Sequence, residues 1–328
     1  MTVQRTALFG ALAGALLAAP LHAQTEIKIG YALAAAPDSH YGVGAQRWQE
    51  VVEERTDGRY VFRHFPSSGL GGEREVIEGV QLGTVEATIV SSGTLANFVE
   101  EAGVFDIPFL FRDLGHARRV LDGPIGQDML EKFDDVGLKA LAWGEQGFRH
   151  ITNNRGPIAS PDDISGLRIR TMENPIHLRA FQTLGAAPTP MAWPEVIGAL
   201  QQGTIDGQEN PLSVIVSVGL ADVQEHLTLS GHVYSPAILL VSPQLWNGMS
   251  EEDQTAFLRG AEAGVAAMRG FVDEIEAGGV ETLRAQGMQV GELTADQRTA
   301  FRDALIEAYA VYGAEFGVDL IDAIIATE

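Results

Sequence analysis

The 328-residue sequence contains no cysteine, and this absence excludes disulfide bonds, thiolate-bound metal centres and a cysteine nucleophile. Basic residues are also scarce, because 22 Lys and Arg face 44 Asp and Glu, which gives a formal charge of -22. A protein with this charge lacks the basic surface that nucleic acid or anionic lipid requires. Aromatic residues make up 7% and hydrophobic residues 45% of the chain, a composition typical of globular proteins.

The N-terminus has the three parts of a secretory signal peptide. Arg5 supplies the positive charge, Ala7 to Ala19 is an uninterrupted small or apolar segment of 13 residues, and Pro20 follows it. This segment is shorter than the roughly 20 apolar residues that a membrane anchor needs, and no later stretch is long and apolar enough to span a bilayer. We therefore predict cleavage after Ala23 and export to the periplasm, although Leu21 is larger than the residue usual at its position.

The length favours two domains, because single hydrophobic cores stop growing at about 250–300 residues. Strand and helix patterns alternate in the N-terminal part of the mature chain. The predicted strands are Thr25 to Leu33, Tyr60 to Phe65 and Val85 to Ser91, and the predicted helices are Tyr41 to Arg55 and Glu73 to Leu82. This alternation predicts an α/β fold with an open, largely parallel sheet.

The last third of the sequence is predicted to be mostly helical. Ser250 is expected to cap a long helix that ends near Ala277. Thr294 is expected to open a further helix that continues through Tyr312. The many acidic residues of these segments fit the solvated faces of amphipathic helices.

A weak internal repeat divides the chain into two halves. The segment Val76 to Glu86 recurs 120 residues later as Val196 to Asp206, and each copy combines a helix, a glycine stop and the start of a strand. A chance match is the alternative, because helix–Gly–Thr–strand junctions are common. A shared architecture would give two similar α/β lobes with a cleft between them, where ligands bind preferentially.

The motifs of common catalytic and cofactor-binding sites are absent. The sequence has no Gly-x-Ser-x-Gly elbow, no His-Glu-x-x-His helix and no Gly-Lys-Ser/Thr phosphate loop. The segment Gly69 to Gly72 lacks the third glycine of a dinucleotide fingerprint, because Arg74 occupies that position. The histidines are scattered without metal-ligand spacing. We therefore predict a protein that is not an enzyme and that has no cofactor and no metal.

Arginine and amide side chains at the ends of elements remain as candidates for a binding site. Arg168 and Arg170 lie on one face of a predicted strand, and a period of two residues cannot tell which of them faces a cleft. Arg149 lies in another predicted strand, and Gly207 to Pro211 is predicted as a loop after the second repeat. Most arginines lie on solvated surfaces, so none of these positions identifies a site by itself.

Six short motifs follow one another along the chain. Their combination and order identify a family more specifically than any single motif does. They are Phe65 to Gly71, Val104 to Phe109, Gly147 to Asn153, Gly166 to Arg170, Pro188 to Ala192 and Ile205 to Pro211. Together they resemble the solute-binding proteins of tripartite ATP-independent periplasmic (TRAP) transporters, of the dicarboxylate-type DctP family. The resemblance covers essentially the whole mature chain.

This resemblance implies a two-lobed α/β fold that closes on its ligand like a flytrap, with hinge strands and a long helix packed against both lobes. It places residues 24–147 and about 234–272 in lobe I, and residues 148–233 and about 273–328 in lobe II. It also implies a monomer that delivers its ligand to the membrane subunits of a TRAP permease, driven by an ion gradient.

The resemblance also implies the residues that bind the ligand. They are Arg170, Arg149, Asn210, Glu73, His40 and Trp193. By position, Arg170 matches the arginine that holds the ligand carboxylate, and Arg149 matches a second cleft arginine. Asn210 matches an amide that contacts the ligand, and Glu73 an acid that accepts hydrogen bonds from ligand hydroxyls. His40 and Trp193 match cleft-lining positions that vary within the family.

The chemistry of these residues favours a small organic acid with hydroxyl groups. A guanidinium presents parallel donors to a carboxylate and stays charged when desolvated. Glu73 would repel a second carboxylate but can accept hydroxyl donors, so a sugar acid such as a uronate or an aldonate is expected. Simple 2-oxo, hydroxy, aromatic and dicarboxylic acids are alternatives. Two other hypotheses are a periplasmic enzyme with Glu73 and His40 as an acid–base pair, and a ligand-binding component of a sensor.

Overall fold

The computed structural model describes residues 24–328 of the chain. The predicted signal peptide, residues 1–23, lies outside the described residues. Among the helices of residues 24–328, none combines the length and the hydrophobicity that crossing a membrane requires.

The predicted alternation of strands and helices is confirmed for the N-terminal part of the described chain, with bounds that agree to within two residues. The strands are β1 (Thr25–Tyr31), β2 (Tyr60–Phe65), β3 (Ala87–Ser91), β4 (Lys139–Asn153), β5 (Arg168–Thr171), β6 (Ala187–Pro190), β7 (Gly207–Pro211), β8 (His226–Val241) and β9 (Gln289–Glu292). The helices are α1 (His40–Arg55), α2 (Glu73–Leu82), α3 (Ser92–Leu95), α4 (Leu114–Asp122), α5 (Pro124–Glu131), α6 (Pro175–Thr183), α7 (Trp193–Gln201), α8 (Leu212–Ser217), α9 (Pro243–Gly248), α10 (Glu251–Ala285), α11 (Ala295–Ala304), α12 (Ile306–Phe316) and α13 (Val318–Ala326).

The strands of the described chain form one continuous sheet in the order β2–β1–β3–β8–β4–β7–β5–β6, with β9 paired to β8. β1 lies parallel to β2 and β3, and β5 lies parallel to β6 and β7. The prediction of a largely parallel sheet holds within these two groups, which we call the sheets of lobe I and lobe II. It is wrong at the centre, where the long strands β4 and β8 pair antiparallel with each other, β8 pairs antiparallel with β3, and β4 pairs antiparallel with β7. The short strand β9 lies parallel to β8.

The long strands β4 and β8 connect the two lobes. The end of β8 at Val241 pairs with β3 in lobe I, whereas the end of β4 at Asn153 pairs with β7 in lobe II. The register between β4 and β8 is irregular at three places, one of them between Glu145 and Gly147. Gly147 has a φ of 107°, a conformation that favours glycine. The predicted lobe boundary after residue 147 falls at this irregularity, and the boundary itself stays a prediction.

The two copies of the sequence repeat occupy equivalent places in the two lobes. α2 leads into β3 and α7 leads into β7, and Gly83 ends the first of these helices with a φ of 71°. Lys28, in the middle of β1, donates to the carbonyl oxygen of Thr84. Arg168, at the start of β5, donates to the carbonyl oxygen of Thr204 in the same way. The repeat therefore reflects a shared architecture rather than chance.

Helix α10 is 35 residues long, about 52 Å, and packs against both lobes. It begins after the predicted cap Ser250, but it ends at Ala285 rather than near Ala277. Its first half lies against α1 of lobe I, where a Cβ on Gly260 would come within 2.6 Å of Trp48. Its second half lies against β4 and α8. The predicted long helix that contacts both lobes is thus present.

The C-terminal helices differ from the prediction in two respects. The single helix predicted from Thr294 through Tyr312 is broken at Leu305 into α11 and α12. α12 packs between α6 of lobe II and the 3-10 helix Glu100–Asp106 of lobe I. The segment 273–328 therefore contacts both lobes, whereas the sequence assigns it to lobe II.

Candidate functional site

A cavity lies between the two lobes, with about 40 Å³ of space open to the centre of a water-sized sphere. Glu73 lines it from lobe I, and Arg170, Trp193 and Asn210 line it from lobe II. The structure therefore brings four of the six predicted site residues together around one cavity. The remaining two, Arg149 and His40, do not line it and are described below.

Arg170 is the cation of this cavity, with 3% of its surface exposed. Its neighbour on the same face of β5, Arg168, is exposed and pairs with Asp206. The Nε and Nη2 groups of Arg170 donate to the carbonyl oxygen of Met191 at 2.9 and 2.7 Å. Among residues 24–328, no carboxylate lies within 4.0 Å of its guanidinium. Both hydrogens of Nη1 and one of Nη2 therefore remain for other acceptors.

Arg170 keeps its charge although it is buried. Burial lowers the pKa of Arg170 to about 10, and the carboxylates of Glu209 and Glu73 oppose this shift. The guanidinium carbon lies 5.8 Å from the ring centroid of Trp193, the first residue of α7, which adds a cation–π contact. A positioned, charged and planar donor therefore faces the cavity.

Glu73 supplies the acceptor on the lobe I side, at the first position of α2. Its Oε1 accepts from the backbone N–H of Ser91 at 2.9 Å, and its Oε2 accepts from the hydroxyl of Thr94 at 2.7 Å. The Tyr41 hydroxyl donates to Oε1 at 3.4 Å. Burial raises the pKa of Glu73, although these hydrogen bonds and the charge of Arg170 oppose the shift. The carboxylate is held in place and keeps lone pairs that can accept ligand hydroxyls.

Asn210 lies in β7, which is buried along its whole length. The predicted loop at Gly207–Pro211 is wrong, because the polar side chains of this segment bond to one another and to the neighbouring strands instead of facing solvent. Oδ1 of Asn210 accepts from Arg149 at 3.3 Å, and its amide nitrogen donates to Gln208. One amide hydrogen of Asn210 remains for the cavity.

Arg149 is fully buried in β4 and lies behind the cavity wall. Its Nε and Nη2 donate to the two carboxylate oxygens of Glu209, at 2.5 and 2.9 Å. Burial alone would raise the pKa of Glu209, but Arg149 and His232 hold that pKa below its usual range. Nη1 of Arg149 also donates to Ser235 of β8. Arg149 reaches the cavity through Asn210, so its geometry is that of a support for the wall.

His40 is also buried and does not line the cavity. Among the described residues, neither ring nitrogen of His40 has a hydrogen-bond partner. Burial lowers the pKa of His40 to about 3, with the Gln146 side chain opposing the shift. Its ring lies 4.6 Å from that of Tyr41, which does line the cavity. No hydrogen bond joins His40 to Glu73 in residues 24–328.

Sequence analysis misses Gln146, a cavity residue in the hinge strand β4. Its amide nitrogen donates to the hydroxyl of Ser91, at the end of β3, at 2.7 Å and to that of Ser235, in β8, at 3.1 Å. Gln146 thus joins lobe I to both long strands at the cavity. The glycine at position 147, with its positive φ, is the sequence signal that marks this irregular point of the strand.

The arrangement combines hydrogen-bond donors and acceptors from both lobes around one cavity. Arg170 and Asn210 provide donors for an anion, and Glu73 provides acceptors for hydroxyl groups. Within residues 24–328, no group of three or more His, Asp or Glu side chains is placed to hold a metal ion.

Comparison with known proteins agrees with this chemistry. The family model of the bacterial extracellular solute-binding proteins, family 7 (DctP), matches residues 31–315. A solute-binding protein of Verminephrobacter eiseniae is 49% identical over 302 residues, which are 92% of this chain and 89% of that protein.

Two solved structures of TRAP periplasmic solute-binding proteins are similar in fold and sequence. The one from Bordetella bronchispeptica, with density interpreted as pantoate, is 54% identical, has a TM-score of 0.90, and covers 93% of this chain and 100% of its own. The one from Polaromonas sp. JS666, bound to D-erythronate, is 51% identical, has a TM-score of 0.90, and covers 93% and 99%. The chain belongs to the DctP family, the solute-binding proteins of TRAP transporters, which bind organic acids.

Proposed function

We propose that this protein is exported to the periplasm, captures a small hydroxylated monocarboxylate between its lobes and delivers it to a TRAP permease. The observation that carries the proposal is the guanidinium of Arg170, which lies buried in the cavity wall without a carboxylate partner among the described residues. A buried cation without a counter-charge is costly, and a ligand carboxylate would supply that charge.

The position of Arg170 favours one way of holding the ligand. Because Met191 occupies the Nε side of the guanidinium, the carboxylate is expected on the end formed by Nη1 and Nη2. Two parallel charge-assisted hydrogen bonds can form there. The free amide hydrogen of Asn210 adds a third donor, and Arg149 supports it by holding Oδ1 of Asn210.

Glu73 favours hydroxyl groups on the rest of the ligand. Of the two similar structures described above, one has density interpreted as pantoate and the other is bound to D-erythronate. Both compounds are butanoates with hydroxyl groups at C2 and C4 and different substituents at C3. We therefore favour an acid with a four-carbon chain and hydroxyl groups at C2 and C4, on the aldonate side of the expected sugar acids, over a uronate with a six-carbon chain. Met172 and Val214 contribute apolar side chains to the lining of the cavity.

Ligand contacts from both lobes would couple binding to closure. A ligand held by Glu73 in lobe I and Arg170 in lobe II binds the closed arrangement more tightly than an open one, so it shifts the population towards closure. The membrane subunits would then distinguish loaded from empty protein by this shape. Three charge-assisted hydrogen bonds are compatible with affinities of about −8 kcal/mol, or roughly micromolar.

A thermal-denaturation screen tests the ligand class. The panel contains D-erythronate, pantoate, D-glucuronate and succinate, with erythritol as the neutral control of the same carbon number as erythronate. A ligand at 100 times its dissociation constant adds about 2.7 kcal/mol to the free energy of unfolding. We expect the largest shifts from the two dihydroxybutanoates. No shift with any carboxylate, or an equal shift with erythritol, would contradict the proposal.

The enzyme alternative needs a separate measurement. The protein is incubated with the ligand that gives the largest shift, and the ligand is then released by denaturation and analysed by NMR. We expect to recover the compound unchanged. A product formed in proportion to protein concentration would favour the enzyme instead.

A further inference from the structure

A second and larger concavity lies outside the interlobe cavity. This groove has about 540 Å³ of space open to the centre of a water-sized sphere, compared with about 40 Å³ for the cavity. Its walls include Phe109 and Phe111 before α4, Phe148 in β4, and Arg298 and Arg302 in α11. We call it the posterior groove.

The posterior groove is separate from the candidate site described above. Phe148 and His150, which flank Arg149 in β4, both line it. Successive residues of a strand point to opposite faces, so the groove and the buried ion pair of Arg149 lie on opposite faces of β4. No residue lines both the groove and the interlobe cavity in the described chain. A ligand in one therefore does not occupy the other.

Positive charge converges on this groove in a protein whose formal charge is -22. Arg298 and Arg302 are one helical turn apart, and within residues 24–328 neither has a carboxylate closer than 4.0 Å. Arg298 donates through one nitrogen to the carbonyl oxygen of Ser230 at 3.0 Å. A third arginine, Arg112, is held by carbonyl oxygens near the C-terminus. The first two arginines thus keep donors for an anion.

The other titratable groups of the groove do not cancel this charge. Glu276 and Glu292 line it as well. Burial and the neighbouring carboxylates of Glu145 and Asp273 raise the pKa of Glu276 to about 7, so it is partly neutral at neutral pH. Burial lowers the pKa of His150 to about 3, which leaves it neutral. A concave surface with a positive excess concentrates its field on an anion.

The rest of the groove lining is apolar, so it favours a ligand whose remaining part, apart from the carboxylate, is apolar. The three phenylalanine rings are joined by Leu212, Leu229 and Val280. A bare inorganic anion would bury none of this surface, whereas a ring or a branched chain would. We propose that the posterior groove binds a small organic carboxylate with an aromatic or branched aliphatic body, its carboxylate on Arg298 and Arg302. This inference does not depend on the ligand of the interlobe cavity.

A fluorine NMR titration of the mature protein tests the proposal, with 4-fluorobenzoate as the probe. We expect saturable binding, and binding of the neutral isostere 4-fluorobenzyl alcohol at least tenfold weaker, because the charge-assisted hydrogen bonds are lost. The double variant Arg298→Ala/Arg302→Ala should weaken binding of 4-fluorobenzoate by about tenfold or more. The matched control is Arg259→Ala, an exposed arginine of α10 outside the groove, which should leave binding unchanged.

The Arg170→Ala variant separates the two sites. Binding of 4-fluorobenzoate that persists in Arg170→Ala and is lost in the double variant supports the posterior groove. Binding that is lost in Arg170→Ala and persists in the double variant overturns it, because the probe then occupies the interlobe cavity. The absence of saturable binding up to about 10 mM, or equal binding of the alcohol, also overturns it. Arg302→Ala alone, at an exposed position, serves if the double variant does not fold.

Discussion

The Nε and Nη2 groups of Arg170 both donate to the carbonyl oxygen of Met191. This pairing fixes the plane of the guanidinium before any ligand arrives, and it leaves the Nη1–Nη2 end with hydrogens that no acceptor among the described residues takes. Fixing a donor in advance lowers the entropic cost of binding. A lysine at this position would lack both the planar fork and the second anchoring bond to Met191.

Replacing Arg170 by lysine is therefore expected to weaken binding of D-erythronate nearly as much as replacing it by alanine. The loss should be about 100-fold or more, because two charge-assisted hydrogen bonds of about 1.5–3 kcal/mol each disappear. Calorimetric titration measures the dissociation constants. Arg168→Lys is the matched control, since Arg168 lies on the same strand but is exposed and pairs with Asp206. Wild-type affinity in Arg170→Lys would contradict the proposal that the ligand carboxylate accepts two hydrogen bonds from the Nη1–Nη2 end of Arg170.

The two buried arginines should differ in their effect on stability. Arg149→Ala leaves the buried carboxylate of Glu209 without its cation, so we expect the free energy of unfolding to fall by about 3–5 kcal/mol. Arg170→Ala removes a buried cation that has no carboxylate within 4.0 Å among the described residues, so it should change stability much less while it abolishes binding. Urea denaturation of the two variants without ligand measures this difference. A larger loss of unfolding free energy in Arg170→Ala than in Arg149→Ala would contradict the prediction. It would mean that Arg170, and not Arg149, is the arginine that stabilises the fold.

Glu73 should decide between hydroxy acids and dicarboxylates. Glu73→Gln removes the negative charge that repels a second ligand carboxylate, so the preference for D-erythronate over succinate should fall by about tenfold. The ratio of the two dissociation constants is the quantity to measure, because it cancels changes common to both ligands. Glu78→Gln, an exposed residue of the same helix, is the control and should keep the wild-type ratio. An unchanged ratio in Glu73→Gln would exclude charge repulsion at this position.

The sequence predicts where a helix begins or ends when a single residue at that position, such as a capping serine or a glycine, determines the boundary. Gly83 ends α2 because its left-handed φ suits glycine, and Ser250 caps α10 by accepting from the backbone N–H of Asp253. Tertiary packing explains the case where such a signal fails. A Cβ on Gly279 would lie 3.1 Å from Val216, so this glycine permits close contact between α10 and α8 instead of ending the helix.

The site is harder to predict because its partners are distant in sequence. Period-two alternation places Arg168 and Arg170 on one face, and only the pairing of Arg168 with Asp206, 38 residues away, shows which of them is exposed. The composition of β7 predicts a loop because Gln, Glu and Asn disfavour strands. Glu209 is nevertheless buried in that strand because Arg149, 60 residues away, neutralises it. A polar strand can be buried only when its side chains find charged or hydrogen-bonding partners. Because these partners are distant in sequence, the residues of the strand itself do not reveal them.

Glu276 should make stability depend on pH. It lies on α10 beside Gly147, and Oε1 has no hydrogen-bond partner among residues 24–328. Burial, with the carboxylates of Glu145 and Asp273, raises the pKa of Glu276 to about 7 from a usual value of 4.5. The folded protein therefore holds this proton more tightly than the unfolded chain. The stability linked to Glu276 is complete below about pH 4.5 and is lost as the pH rises through about 7.

In the Glu276→Gln variant, the side chain at position 276 is uncharged at every pH. The variant should therefore not lose stability as the pH rises through about 7. Relative to wild type, its free energy of unfolding should rise between about pH 4.5 and pH 7 and then level off at a gain of about 1–3 kcal/mol. Urea denaturation at a series of pH values gives the difference curve. Glu274→Gln, an exposed carboxylate on the same helix, should give a flat curve. An equally flat curve for Glu276→Gln would contradict the prediction. It would mean that the carboxyl group of Glu276 contacts solvent or a cation, and that its pKa is the same in the folded and the unfolded protein.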